Sequence, residues 1–220
     1  IRKKSTTVNA NSMKTILKIT KNELSTLFYS PIAWLILIIF TFQSGMAYAN
    51  AWDGILRSVA LGFNPSSLTG RLLLGWPGAI SSMQEHLFLY IPLLTMGLMS
   101  QEYNRGSIKL LYSSPVTNRQ IIFGKYLSMI IYAAILVGIL FIYYIFTAFT
   151  IKSVGTPFAL TALLGVFLMI CAYAAIGLFM SSLTAYQVVA AVGTLAVLAV
   201  LNYIGNVGQE IPFVRDITYW

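Results

Sequence analysis

Along this chain apolar residues come in runs too long for strands, and the punctuation between the runs is that of helices. Reading from charge to charge, Leu24–Trp52, His86–Gln101, Tyr126–Ile151 and Ser153–Gln209 carry no Asp, Glu, Lys or Arg. A helix needs about 20 apolar residues to cross roughly 30 Å of hydrocarbon, so runs of this kind predict membrane spans. The last run would be about 85 Å long as one helix at about 1.5 Å per residue, so it must fold back on itself. Thr184-x-x-Gln187 has the capping-box form, a hydroxyl followed three residues later by Gln, and it places the reversal at 181–187. Ser82-x-x-Glu85 and Thr117-x-x-Gln120 have the same form. Ser30-Pro31 and Thr156-Pro157 put a capping hydroxyl before a proline at the first helical position. The pattern predicts an all-α, polytopic helical bundle with five spans, near 32–51, 83–101, 121–149, 158–181 and 187–205.

Ahead of the first span, Met13, Ile16, Leu17, Thr20, Leu24, Leu27 and Phe28 follow the three-four spacing of one helix face, with Lys14, Lys18 and Lys21 on another. Bulky apolar groups on one side and lysines on the other suit a helix lying in the membrane interface, in contact with lipid. Basic residues give the orientation. With the N-terminus in the cytoplasm, 10 of the 14 Lys and Arg fall on the inner side, leaving Arg57, Arg71, Lys152 and Arg215 outside. The chain starts on Ile1, and Met13 suits a natural start. Residues 1–12 are therefore expected to be a leader or disordered extension, and 13–220 the membrane domain.

Composition agrees with this class: 58% of residues are hydrophobic and only 9% charged, with a mean hydropathy of +0.78. The net charge of +8 follows from topology and anionic lipid, and it calls for no nucleic-acid partner. Catalytic constellations are hard to assemble. His86 is the only histidine and Cys171 the only cysteine, so neither a disulfide nor a thiolate metal site is expected. Glu85-His86 with Ser81 and Ser82 nearby reads as a capped helix start, because a nucleophile has to face its base from a structured element. No G-x-x-x-x-G-K-[ST] sequence is present to cradle a nucleotide. The expectation is no enzyme activity and no cofactor or metal in this chain.

What remains is a charged island, Gln101 to Lys125, between two apolar runs. Glu102 to Leu111 reads as helical with a weak point at Gly106. Pro115 ends that helix and pushes its predecessor toward extended geometry. Thr117 then caps the helix that carries Lys125 into the third span. A rigid elbow of this kind is suited to receive a push from a soluble partner.

The series Glu102-x-x-x-Gly106-Ser107, Leu111, Ser114-Pro115-Val116-Thr117 and Gly124-Lys125 resembles the cytoplasmic coupling segment of ABC-type-2 permeases. The interfacial helix leading into Ser30-Pro31 resembles that family in order and place. Ser30-Pro31-Ile-Ala-Trp34 and Phe213-Val-Arg-Asp-Ile-Thr-Tyr-Trp220 are more closely similar to its gliding-motility-associated permease subunits. The resemblance implies the membrane-spanning subunit of an ATP-driven exporter in a bacterial inner membrane, paired with a second permease subunit. A cytoplasmic ABC ATPase would bind the ATP and grip the coupling segment at Glu102, Arg105, Gly106, Ser107, Leu111, Pro115, Thr117 and Lys125. It also implies a sixth span beyond the five visible. The alternative in another class is a structural membrane anchor for a motility or secretion complex, without transport.

Overall fold

The computed structural model describes residues 2–62, 78–107, 116–150 and 156–207. Every element among them is a helix: α1 (Arg2–Tyr29), α2 (Pro31–Ala60), α3 (Ala79–Thr95), α4 (Ser100–Arg105), α5 (Asn118–Thr150), α6 (Thr156–Leu183) and α7 (Gln187–Val207). Four are long and apolar enough to cross a membrane, namely Pro31–Ala60, Asn118–Thr150, Thr156–Leu183 and Gln187–Ile204. Their outward faces carry large apolar side chains such as Phe42, Phe146, Phe149, Leu164 and Val192. A surface like that is stable against lipid and not against water.

The α1–α2 joint follows the sequence closely. Ser30 stands at the N-cap of α2 in extended geometry, its side chain accepting from the Ile32 N–H, with Pro31 at the first helical position. The Trp34 indole N–H donates to the Phe28 carbonyl at 2.8 Å and so satisfies an otherwise open group in the last turn of α1. At its far end α2 runs to Ala60, past the charges at which the sequence pattern stopped its span. Asp53 and Arg57 sit one turn apart on its exposed surface and pair at 2.9 Å. Exposed charges at a helix end do not break the helix, so the span and the helix need not end together.

The second predicted span differs most from expectation. It is found as α3, 17 residues long with Pro92 inside it, then a turn over 96–99 and the six-residue α4. Ser82-x-x-Glu85 does not start it. The N-cap is Gly78, with no side-chain cap, and Ser82 lies inside the helix, where its carbonyl faces His86 Nδ1 at 2.6 Å. Ile80, Met83, Leu87, Ile91 and Leu94 are buried along one side of α3, and the helix packs against α2, α5, α6 and α7. This central place explains why an irregular turn is tolerated after Thr95. Non-helical backbone at membrane depth persists only where protein satisfies its polar groups.

The reversal between α6 and α7 occupies 184–186. The Tyr186 N–H donates to Thr184 Oγ1 at 3.2 Å, and the Ala190 N–H donates to the Tyr186 carbonyl. Thr184 thus shapes the turn just outside the helix, two residues before the position a capping box assigns to it. The core between the helices is apolar with a few hydroxyls turned onto partners. The Tyr132 hydroxyl donates to the Ala33 carbonyl at 2.8 Å, and Tyr48 pairs with Thr147 at 2.9 Å.

Candidate functional site

α1 extends from Arg2, so the helix includes residues ahead of the predicted start at Met13. Its strongest packing is against α5. Gly124 makes this possible, because a Cβ there would meet Ile19 Cγ2 at 2.6 Å. The two helices run in the same direction. The Gln120 amide donates to Ser12 Oγ at 2.8 Å, Thr20 Oγ1 donates to the Gly124 carbonyl at 3.1 Å, and Phe28 meets the Tyr132 ring further along. The packed face is therefore Ser12, Ile16, Ile19, Thr20, Glu23 and Phe28. Met13 and Leu17, assigned to the apolar face by spacing, are exposed, as are Lys14, Lys18 and Lys21.

The register of that packing brings Glu23 to Lys125. Lys125 sits on the second turn of α5 with a side chain only 2% exposed, and its Nζ lies 2.7 Å from Glu23 Oε1 and 2.8 Å from Glu102 Oε1. One buried ammonium therefore joins α1, α4 and α5. Burying a lone ammonium costs several kcal/mol, and the two carboxylates offset that cost. Glu102 Oε2 is buried as well and has no hydrogen-bond partner among the described residues. A cavity of about 180 Å³ lies against this cluster, lined by Asn22, Glu23, Gln101, Glu102, Arg105, Ser107 and Lys125. It adjoins a larger one of about 380 Å³ reaching to Ser30, Leu94 and Gln187, with Glu23, Gln101 and Arg105 on both walls. Two acids and two bases thus face the same space, so the cluster is balanced in charge while remaining polar.

Of the coupling residues expected from sequence, Glu102 and Lys125 meet directly. Arg105 is exposed and lines the cavity. Gly106 closes α4 in the left-handed conformation, φ 71°, which a residue without a Cβ adopts without strain. Ser107 Oγ donates to the Glu102 carbonyl at 3.4 Å. Thr117 starts the next helix, its N–H taken by Gln120 Oε1 at 3.0 Å, which is the returning half of the expected capping box. Leu111 and Pro115 lie outside the described residues. Glu23 is the member that spacing alone did not single out. The available signal was one acid among the three lysines of an amphipathic helix, on the side that faces away from them.

A comparison with curated proteins and with solved structures returned no match. The family model described as ABC-2 family transporter protein matches residues 17–212, which takes in α1 from Leu17, the Glu23–Lys125–Glu102 cluster and all four long spans. This multi-pass membrane protein belongs to the ABC-2 transporter family.

Proposed function

We propose that the chain is the permease subunit of an ATP-driven exporter, in which a partner ATPase acts on the segment from Gln101 to Lys125. Members of the family usually pair with an ATPase subunit. The observation that carries the reading is Lys125, which ties the start of that segment at Glu102 to its end on α5 and, through Glu23, to α1. A load applied to α4 is thereby delivered to two further helices instead of being lost in a loop. On this reading ATP is bound by the partner, a second permease subunit completes the pathway, and α3 counts as a fifth crossing despite its length. The N-terminus is cytoplasmic in a bacterial inner membrane. The exposed Met13 and Leu17 beside exposed Lys14, Lys18 and Lys21 support placing the outer face of α1 in the headgroup layer. The likeness of Ser30–Trp34 and Phe213–Trp220 to gliding-motility permeases supports a role in that process; Phe213–Trp220 lies outside the described residues.

Two experiments test it. Affinity-tagged chain, drawn from its native membrane in mild detergent, is expected to bring down an ABC ATPase that hydrolyses ATP. Glu102→Arg, which sets three cations against one carboxylate around the cavity beside Lys125, is expected to lose most of that hydrolysis. No ATPase with the wild type, or full hydrolysis with the variant, would count against the proposal. Topology is read separately, with single cysteines at Lys18 and Arg57 in a Cys171→Ala background. A membrane-impermeant maleimide should reach them from opposite sides, and labelling from one side refutes the orientation.

A further inference from the structure

α4 begins without the backbone partners a helix start lacks by geometry, and another helix supplies them. The first N–H groups of any α-helix have no acceptor within it. Here the Met99 and Ser100 N–H groups both donate to Ser181 Oγ of α6, at 3.0 and 3.1 Å. The same hydroxyl donates to the Met96 carbonyl at 2.9 Å, so its one proton and its acceptor capacity are all used between Met96 and Ser100. Ser181 and Ser100 are fully buried. One turn earlier on α6, Gly177 brings the backbone onto Thr95, the last residue of α3. α6 therefore holds both sides of the break, on the α3 side by close packing at Thr95 and the bond to the Met96 carbonyl, and on the α4 side by the bonds from the Met99 and Ser100 N–H groups.

We propose that Ser181 is a positioning residue that locks the 96–99 turn and so makes α4 move with α6 and with the end of α3. The chain itself links α4 to α3 only through that turn, and Pro92 has already removed one backbone donor from the end of α3. The clasp to α6 is made of three hydrogen bonds at a buried site, one to the α3 end of the turn and two to its α4 end. Resting on the coupling role given above to the Gln101–Lys125 segment, it supplies the route by which a push on that segment reaches α6, a helix the Lys125 cluster does not touch. Ser182 is the natural contrast, since its hydroxyl donates to the Phe179 carbonyl in its own helix at 2.7 Å.

The test needs only the full chain, reconstituted in nanodiscs in a Cys171→Ala background, so it can fail independently of any ATPase. Spin labels are placed in pairs at Asn104 on α4, Phe179 on α6 and Leu89 on α3, three exposed positions. In the wild type the 104–179, 104–89 and 89–179 distance distributions are expected to be similarly narrow. Ser181→Ala should at least double the widths of 104–179 and 104–89 while leaving the α3–α6 pair 89–179 unchanged. Ser182→Ala should leave all three as they were. The proposal is overturned if 104–179 or 104–89 is already at least twice as wide as 89–179 in the wild type, or if Ser181→Ala leaves 104–179 narrow. It is equally overturned if the variant widens 89–179 as much as 104–179, because the serine would then hold the bundle in general. Should Ser181→Ala not assemble, the wild-type comparison alone decides.

Discussion

Lys125→Met is expected to destabilise the protein by about 3–5 kcal/mol, the usual range for removing one partner of a buried ionic cluster. The substitution keeps the side chain's length and removes its charge. Glu23 and Glu102 are then left facing each other across a site where water is scarce, with the exposed Arg105 as the remaining cation lining that cavity. Their mutual repulsion replaces the attraction that joined α1 and α4 to α5. Glu23→Gln alone should cost much less, because Glu102 still neutralises the ammonium at 2.8 Å. The triple variant Glu23→Gln, Glu102→Gln, Lys125→Met removes every charge of the cluster and should recover most of the loss, since a neutral set of similar volume carries no stranded ion. Thermal unfolding of the purified chain in detergent measures all three. A Lys125→Met protein as stable as the wild type would show that the ammonium is solvated and the cluster unimportant to the fold. If the triple variant is stable yet its complex with an ATPase is inactive, the cluster serves transmission beyond stability.

Gly177→Ala should be nearly as damaging, at about 1–3 kcal/mol and toward the upper end of that range. An added Cβ would stand 2.7 Å from Thr95 Cβ and 2.9 Å from its Cγ2, and would overlap its Oγ1. Rotating Thr95 away gives no relief, because its own Cβ is part of the clash. α3 cannot retreat either, being enclosed by α2, α5 and α7 on its other sides. The remaining response is to part α3 from α6, which pulls on the Ser181 hydrogen bonds one turn along. Thr95→Gly in the Gly177→Ala background should return part of the loss, so a double-mutant cycle is expected to give a coupling of at least about 1 kcal/mol. Strict additivity of the two substitutions would mean that the helices do not meet there.

Much of the fold was legible in the sequence because helix length, capping and charge are local properties. Ser30-Pro31 marked the start of α2, Thr117 and Gln120 the start of α5, and the 57-residue-scale apolar run after Lys152 had to break where Thr184 stands. The second span was read straight through Thr95–Met99 because nothing in that stretch is polar enough to signal a break. Pro92 and Gly97 were the local hints, and in a membrane helix a proline often produces only a kink and a glycine is commonly tolerated. The break is stabilised from outside by Ser181, 82 positions from the Met99 N–H it accepts, and no local pattern can report a partner at that distance.

The site divides in the same way. Sequence alone determined that the chain is helical and membrane-spanning, and that a charged island stands between two apolar runs at Gln101 to Lys125, because bilayer thickness and the cost of burying charge act on every residue according to its own chemistry. From sequence Lys125 was counted among the basic residues of the inner side and, by resemblance, placed in the segment a partner ATPase would grip. Only the tertiary structure decided that it is buried, and that its partners are Glu102 from the same segment and Glu23 from a helix 102 positions earlier. That pairing depends on the register of α1 along α5, set by Gly124 under Ile19 and by Thr20 on the Gly124 carbonyl. Such a register is a property of two surfaces in contact, and it exists only once they meet.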